Sequence, residues 1–191
     1  MPRNRPLVKR GLIALTLTGA VALAGLAVAP AMAQQPAQPS TLGMFSDTLT
    51  PKITADPDRV PVELGVRFTP KHAGEVTALQ YYQGAKAKDV TTATLWSSSG
   101  RELARAKFDA TTNTGWRTIK LDKPVALKSG SSYVVSYHAP KGGYVATEGD
   151  LTKAKTVNGF SLRSGAGVYK YSKTSTLPTQ SYRGTNYLVD I

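Results

Sequence analysis

The chain of 191 residues contains no cysteine, only two histidines, and 12 acidic residues against 24 basic ones. The absence of cysteine excludes disulfide bonds, thiol nucleophiles and cysteine-liganded metals. Because covalent crosslinks are excluded, we expect the fold to be stabilised by packing or by a bound ion.

The sequence contains no complete catalytic signature. A serine hydrolase would require a Gly-x-Ser-x-Gly elbow or a comparable motif, and none is present. A glycosidase needs two carboxyl groups across a cleft, and Glu148 and Asp150 are a pair of the right type. Their spacing in sequence does not establish their separation in space. We therefore predict that the protein is not an enzyme, with a glycoside hydrolase as the less favoured alternative.

The longest apolar run lies near the N-terminus, at residues 12–29. Four basic residues precede it, namely Arg3, Arg5, Lys9 and Arg10. Ala31 and Ala33 follow as the small residues that signal peptidase accepts. This pattern predicts a helical signal peptide over residues 1–33, cleaved before Gln34, with a retained anchor as the open alternative. We expect the exported protein to be secreted or associated with the cell envelope, with no membrane span after cleavage.

Basic residues outnumber acidic residues in the chain as a whole. The net charge is +12, and the leader holds four basic residues and no acidic residue, which leaves +8 after cleavage. The charges are scattered, as is typical of a solvated surface. Attraction to an anionic cell-envelope polymer is the alternative interpretation. Nucleic acid is not expected as a partner, because the chain has an export signal and no nucleic-acid-binding motif.

Alternating polar and apolar residues dominate the remainder of the chain. After a flexible lead-in at residues 34–43, the segment 62–68 alternates strictly, which indicates a half-buried strand. Further strands are predicted at 76–82, 91–96, 103–108, 116–121, 133–138, 144–147, 168–171 and 187–191. No helical period occurs after residue 40. The pattern predicts one all-β domain over residues 44–191, a monomeric antiparallel two-sheet sandwich of jelly-roll or immunoglobulin-like type.

Some positions depart from the simple alternation. The apolar residues within 76–82 break the two-residue period, which fits a β-bulge. Glu63 and Asp190 lie on the polar phase of predicted strands, where a buried partner such as Arg67 would account for Glu63.

Six short motifs occur in a characteristic order along the chain. They are Asp56-Pro57-Asp58, residues 61–68, Thr94-Leu95-Trp96, Gly115-Trp116, residues 136–140 and residues 186–190. Over roughly residues 44–191 the chain resembles the bacterial family catalogued as domain of unknown function 4082. The resemblance implies a secreted β-sandwich module of the kind that accompanies carbohydrate-active or adhesive domains, and it implies no particular activity.

The candidate binding site lies in the last third of the chain. Strand signals become sparse at residues 140–184, and long loops on a rigid sheet are common places for binding surfaces. Sugar rings pack on aromatic side chains while polar side chains bind their hydroxyls. The predicted ligand-binding residues are Tyr144, Tyr169, Tyr171, Tyr182, Asp150, Asn158 and His138. They predict a non-catalytic module for carbohydrate or cell-envelope polymer, and a structural or adhesive domain acting through protein contacts is the alternative.

Asp56 and Asp58 are weak calcium candidates. Two carboxylates spaced by Pro57 can offer oxygens to calcium, but such a site needs six or more oxygens. Capping of a turn before the strand at 62–68 is the favoured interpretation. No cofactor is therefore assigned, with calcium as the alternative.

Overall fold

The computed structural model describes residues 42–191, and within them every regular element is a β-strand. The strands are β1 (Val62–Pro70), β2 (Gly74–Gln83), β3 (Thr92–Ser97), β4 (Glu102–Lys107), β5 (Gly115–Leu127), β6 (Tyr133–Ala139), β7 (Lys155–Val157), β8 (Phe160–Leu162), β9 (Gly167–Tyr171) and β10 (Val189–Asp190). No helix among the described residues is long and apolar enough to cross a membrane. The predicted signal peptide at residues 1–33 lies outside the described residues.

The strands form two antiparallel sheets. The larger sheet has the order β4-β3-β6-β1-β8-β7, with β9 also paired to β1, and the smaller sheet has the order β10-β2-β5. Strand β1 is central because it pairs with β6 on one side and with β9 and β8 on the other. The predicted all-β fold with two antiparallel sheets is confirmed.

The core lies between the two sheets. The apolar residues of β1, from Val62 to Phe68 at every second position, are buried there together with Leu79 and Tyr81 of β2. The rings of Tyr81 and Tyr137 stack 5.1 Å apart and join β2 of the smaller sheet to β6 of the larger one. Burial of each such side chain stabilises the fold by about 1.5–3 kcal/mol. Because every second side chain of a strand faces the core, the alternation of polar and apolar residues predicted these strands correctly.

The opposite face of β1 carries a buried polar cluster. Glu63 is fully buried and accepts a hydrogen bond from the Ser136 hydroxyl at 2.6 Å. Ser175, in the segment that follows β9, lies 3.3 Å from the same carboxylate oxygen. The predicted pairing of Glu63 with Arg67 is wrong, because Arg67 is exposed and lies four residues, or about 13 Å, further along the strand.

Asp190, near the C-terminus, forms hydrogen bonds with the first residues of the described domain. Its carboxylate accepts backbone N–H bonds from Met44 at 2.8 Å, Phe45 at 2.7 Å and Ile191 at 2.7 Å. Burial outweighs these hydrogen bonds and raises the pKa of Asp190 to about 6.

Some local features differ from the sequence predictions. The predicted bulge is present, since the β2–β5 register shifts between Val76 and Ala78, but the additional residues lie on β5. The predicted strand at 144–147 forms only isolated bridges, with Ile53 and Asn186 as partners. The β7–β8 hairpin was not predicted, although its Asn158-Gly159 turn is a known hairpin signal.

Candidate functional site: a cleft of tyrosines and carboxylates

A cleft of about 570 Å³ lies beside the beginning of β1. Five tyrosines, three carboxylates and one proline line it: Tyr144, Tyr169, Tyr171, Tyr182, Tyr187, Asp56, Asp58, Glu148 and Pro57. We call this the tyrosine cleft. The four tyrosines that the sequence predicted for ligand contact are therefore brought together, from three separate segments of the chain.

Backbone hydrogen bonds hold these segments in place. The N–H groups of Ile53 and Asp56 donate to the carbonyls of Ala146 and Tyr144, each at 2.8 Å. Strand β9 pairs with β1 and carries Tyr169 and Tyr171, while a bridge between Tyr169 and Gln180 brings in the segment that contains Tyr182.

Two glycines allow the loop that carries Asp58 to approach closely. Gly142 and Gly143 have φ angles of 57° and 66°, a region that favours glycine, and the Gly143 N–H donates to the Asp58 carbonyl at 2.8 Å. A Cβ atom at Gly142 would overlap that carbonyl. The acidic wall of the cleft therefore depends on the absence of a side chain at Gly142.

The aromatic side chains form two edge-to-face pairs. The Tyr169 and Tyr171 rings are 5.7 Å apart at 77°, and the Tyr144 and Tyr187 rings are 5.9 Å apart at 76°. Tyr187 is buried, whereas Tyr171 is 52% exposed and Tyr182 is 46% exposed. The exposed large hydrophobic residues within 42–191 are Leu42, Val60, Tyr171 and Tyr182. The cleft thus presents aromatic surface to solvent.

The two aspartates shape the loop and bind one tyrosine. Asp56 Oδ1 accepts the Asp58 N–H at 2.9 Å, and Asp58 Oδ1 accepts the Val60 N–H at 2.8 Å. These are the turn-capping hydrogen bonds that the sequence predicts in preference to a calcium site. Asp58 Oδ2 accepts the Tyr171 hydroxyl at 2.7 Å, and this hydrogen bond raises the pKa of Tyr171 to about 12.

Burial also keeps the deeper tyrosine hydroxyls protonated. It is the main cause that raises the pKa of Tyr144 and of Tyr187 well above the usual value, and the charge of Asp56 acts in the same direction. These hydroxyls therefore stay protonated, and able to donate hydrogen bonds, to a higher pH than an ordinary tyrosine.

Glu148 stands at the rim of the cleft in an ion pair with Arg183. Arg183 Nη1 donates to Glu148 Oε2 at 3.1 Å, and its guanidinium lies 4.9 Å from the centre of the Tyr182 ring. Both charged side chains are exposed, so the pair adds little to stability. This corner of the cleft nevertheless places a cation between an aromatic face and a carboxylate.

Three predicted ligand residues do not line the cleft. Asp150 binds the Lys155 ammonium at 3.0 Å and the Asn186 amide at 2.9 Å. The Asn158 amide donates to the Gly43 carbonyl at 2.8 Å. His138 lies on the opposite face of the larger sheet, where its Nδ1 is 3.3 Å from Glu63 without hydrogen-bond alignment.

The sequence does not predict Tyr187 as a site residue, and it does not place Asp56, Asp58 or Glu148 among the ligand-binding residues. Asp56 and Asp58 had a visible signal in the Asp-Pro-Asp motif, but nothing local linked that motif to the distant tyrosines. Within residues 42–191, no group of three or more histidine, aspartate or glutamate side chains lies close enough to hold a metal ion.

The fold and the cleft together define a class of protein: an all-β domain of two antiparallel sheets with an aromatic and acidic cleft. Residues 48–189 match the family described as Domain of unknown function (DUF4082), and the chain belongs to that family. The resemblance found in the sequence is thereby confirmed. Comparison with curated proteins and comparison with solved structures each give no match.

Proposed function

We propose that this protein is a non-catalytic binding module that holds carbohydrate in the tyrosine cleft. The observation that carries the proposal is the position of Tyr171 and Tyr182, two half-exposed aromatic rings beside carboxylates in a cleft of about 570 Å³. A volume of this size lies within the range of small-molecule sites.

The chemistry of the cleft matches the two surfaces of a sugar ring. The apolar C–H face of a sugar packs on an aromatic ring, and its hydroxyls donate to oxygen acceptors. Tyr171 and Tyr182 supply the rings, and the carboxylates of Asp56 and Glu148 supply acceptors within the same cleft. Among the described residues, the second carboxylate oxygen of Asp56 accepts no hydrogen bond from the protein.

The roles of the carboxylates favour binding over hydrolysis. A glycosidase uses one carboxyl group as an acid and another as a base or nucleophile. Here Asp56 and Asp58 cap turns of their own loop, and Glu148 pairs with Arg183. Asp150, the predicted companion of Glu148, bonds to Lys155 and Asn186 instead. The predicted signal peptide would place such a module outside the cytoplasmic membrane, in the secreted or envelope fraction.

Substitution of the exposed tyrosines tests the proposal. Isothermal titration of the full chain against a panel of soluble polysaccharides should identify a ligand. Tyr171→Ala and Tyr182→Ala should each weaken its binding about fivefold or more, since aromatic stacking contributes about 1 kcal/mol or more. Tyr82→Ala is the control, because Tyr82 is a partly buried tyrosine of the other sheet. Binding that survives both cleft substitutions, or no binding to any polysaccharide, would overturn the proposal.

An anionic cell-envelope polymer is the second candidate ligand, and a different pocket favours it. This pocket of about 230 Å³ lies toward the far end of β1, and its lining includes Arg67, Arg163, Ser132 and Ser161. Within residues 42–191 neither arginine forms an ion pair, and no acidic residue lines the pocket. In the same titrations, binding of a polyuronate that falls steeply with added salt and is weakened by Arg67→Gln would favour this candidate.

A further inference from the structure

We infer that the sugar bound in the tyrosine cleft carries a positive charge, as an amino sugar with an unsubstituted ammonium group does. This inference rests on the proposed carbohydrate binding and names the class of sugar. Its starting point is a local reversal of charge. The chain as a whole is strongly basic, yet the ionisable side chains that line the cleft, apart from tyrosines, are the carboxylates of Asp56, Asp58 and Glu148.

Both kinds of lining side chain attract cations. An ammonium group is drawn to the face of an aromatic ring by the ring quadrupole, and to a carboxylate by opposite charge. Binding of a neutral sugar requires aromatic surface and hydrogen-bonding groups, and it does not require a negatively charged lining. An anionic sugar would be repelled by three carboxylates, so the lining of the cleft selects against it.

The neighbouring cations leave part of this negative charge uncompensated. Arg59 donates to the backbone carbonyls of Asp56 at 2.6 Å and Asp58 at 2.8 Å, and Arg183 pairs with Glu148. Carboxylates therefore outnumber these guanidinium groups. The Tyr171 hydroxyl occupies one oxygen of Asp58, which leaves Asp56 and Glu148 as the stronger candidates for contact with the ligand.

Arg183 occupies the position that we assign to a ligand cation. Its guanidinium lies against the Tyr182 ring and against Glu148 at once, as a ligand ammonium would. Because the Arg183 side chain is largely exposed, a bound ammonium can replace it at low energetic cost. Removal of the guanidinium should therefore strengthen the binding of a cationic sugar, whereas it would weaken the binding of an anionic one.

A matched pair of ligands tests the inference. Oligomers of β-1,4-linked glucosamine and of N-acetylglucosamine share a backbone and differ in whether the nitrogen is charged. They should be titrated into the full chain at about pH 5.5, where ordinary carboxyl groups are ionised. We expect the glucosamine oligomer to bind at least about tenfold more tightly, a difference of about 1.4 kcal/mol.

Charge-neutralising substitutions should change this preference in defined directions. Glu148→Gln and Asp56→Asn should reduce the preference for the glucosamine oligomer, and Arg183→Gln should increase affinity for it. Glu75→Gln, which removes an exposed carboxylate of β2 outside the cleft, is the control and should change neither. Thermal melting of each variant establishes that it is folded.

The possible outcomes separate this inference from the proposed function. Equal binding of the two oligomers, or tighter binding of the acetylated one, would overturn the inference and leave carbohydrate binding intact. Weaker binding of the glucosamine oligomer by Arg183→Gln would also contradict it. Failure of both oligomers and of every other polysaccharide to bind would overturn the inference together with the proposed function.

Discussion

Two fully buried carboxylates, Glu63 and Asp190, have different surroundings in this domain. Glu63 accepts hydrogen bonds from side-chain hydroxyls on one face of the larger sheet, whereas Asp190 accepts three backbone N–H bonds where the two ends of the described domain meet. Burial of a carboxylate disfavours its charged form, and for Asp190 this effect outweighs the hydrogen bonds.

The raised pKa of Asp190 predicts that stability changes with pH. The pKa is 3.8 for an unperturbed aspartate and about 6 in the folded state, so the native state binds this proton more tightly than the unfolded state does. The contribution to the free energy of unfolding is complete below about pH 4 and decreases as the pH rises through 6, by about 3 kcal/mol in total. Urea unfolding at several pH values measures it.

A matched pair of variants isolates this contribution. Asp190→Asn should remove the part of the pH dependence between about pH 4 and pH 6. Asp122→Asn, at an exposed position of β5, should retain the pH dependence of the native chain. The same pH profile in both variants would show that Asp190 does not titrate in this range.

At the scale of elements, the position of the 53–58 loop depends on the Gly142-Gly143 turn that follows β6. The turn lies so close to Asp58 that a Cβ atom at Gly142 would overlap the Asp58 carbonyl. The loop in turn positions Asp56 and Asp58 in the tyrosine cleft. A change in this turn should therefore affect both stability and binding.

Gly142→Ala is expected to destabilise the domain by about 2 kcal/mol or more, because it combines an unfavourable φ angle with a steric overlap. It should also weaken ligand binding in the cleft, since Asp58 must move. Gly130→Ala is the control: its φ is 75°, but a Cβ atom there meets nothing within 4 Å. The control should cost about 1 kcal/mol and leave cleft binding unchanged. Equal effects of the two variants in chemical denaturation and titration would contradict this account.

At the scale of the whole molecule, the excess of basic residues bears on the predicted export. The predicted leader holds four of the 24 basic residues, and its removal leaves a chain that remains strongly basic. Once exported as predicted, such a basic domain is expected to be attracted to anionic envelope polymers over long distances, and salt should screen this attraction. The carboxylates of the tyrosine cleft are a local exception within this positive field.

The export prediction has a direct test. When the full chain is produced in a secreting bacterial host, mass spectrometry of the exported protein should find Gln34 as its first residue, because Ala31 and Ala33 fit the small subsites of signal peptidase. Ala33→Arg should block cleavage and increase the mass accordingly. An unprocessed native chain in the membrane fraction would favour the alternative of a retained N-terminal anchor.

Much of the fold could be predicted because burial follows local alternation. The apolar positions of 62–68 and 133–138 predicted β1 and β6 directly. The broken alternation after Val76 predicted the irregularity in the β2–β5 pairing, although the additional residues lie on β5. The segment 144–147 has a similar composition but forms isolated bridges, because its partners are irregular loops. The periodicity of a strand indicates which of its faces is buried, but it does not indicate which other segment of the chain pairs with that strand.

By itself, the sequence determined the all-β character, the family and four of the five tyrosines that line the cleft, because these depend on side-chain type and on local repetition. Only the tertiary structure decided which carboxylates accompany the tyrosines. Asp58 and Tyr171 are separated by 113 residues and meet through a hydrogen bond, while Asp150, close to Tyr144 in sequence, points elsewhere. The physical reason is that strand pairing and loop docking set long-range proximity, and the alternation of side chains along one strand carries no information about it.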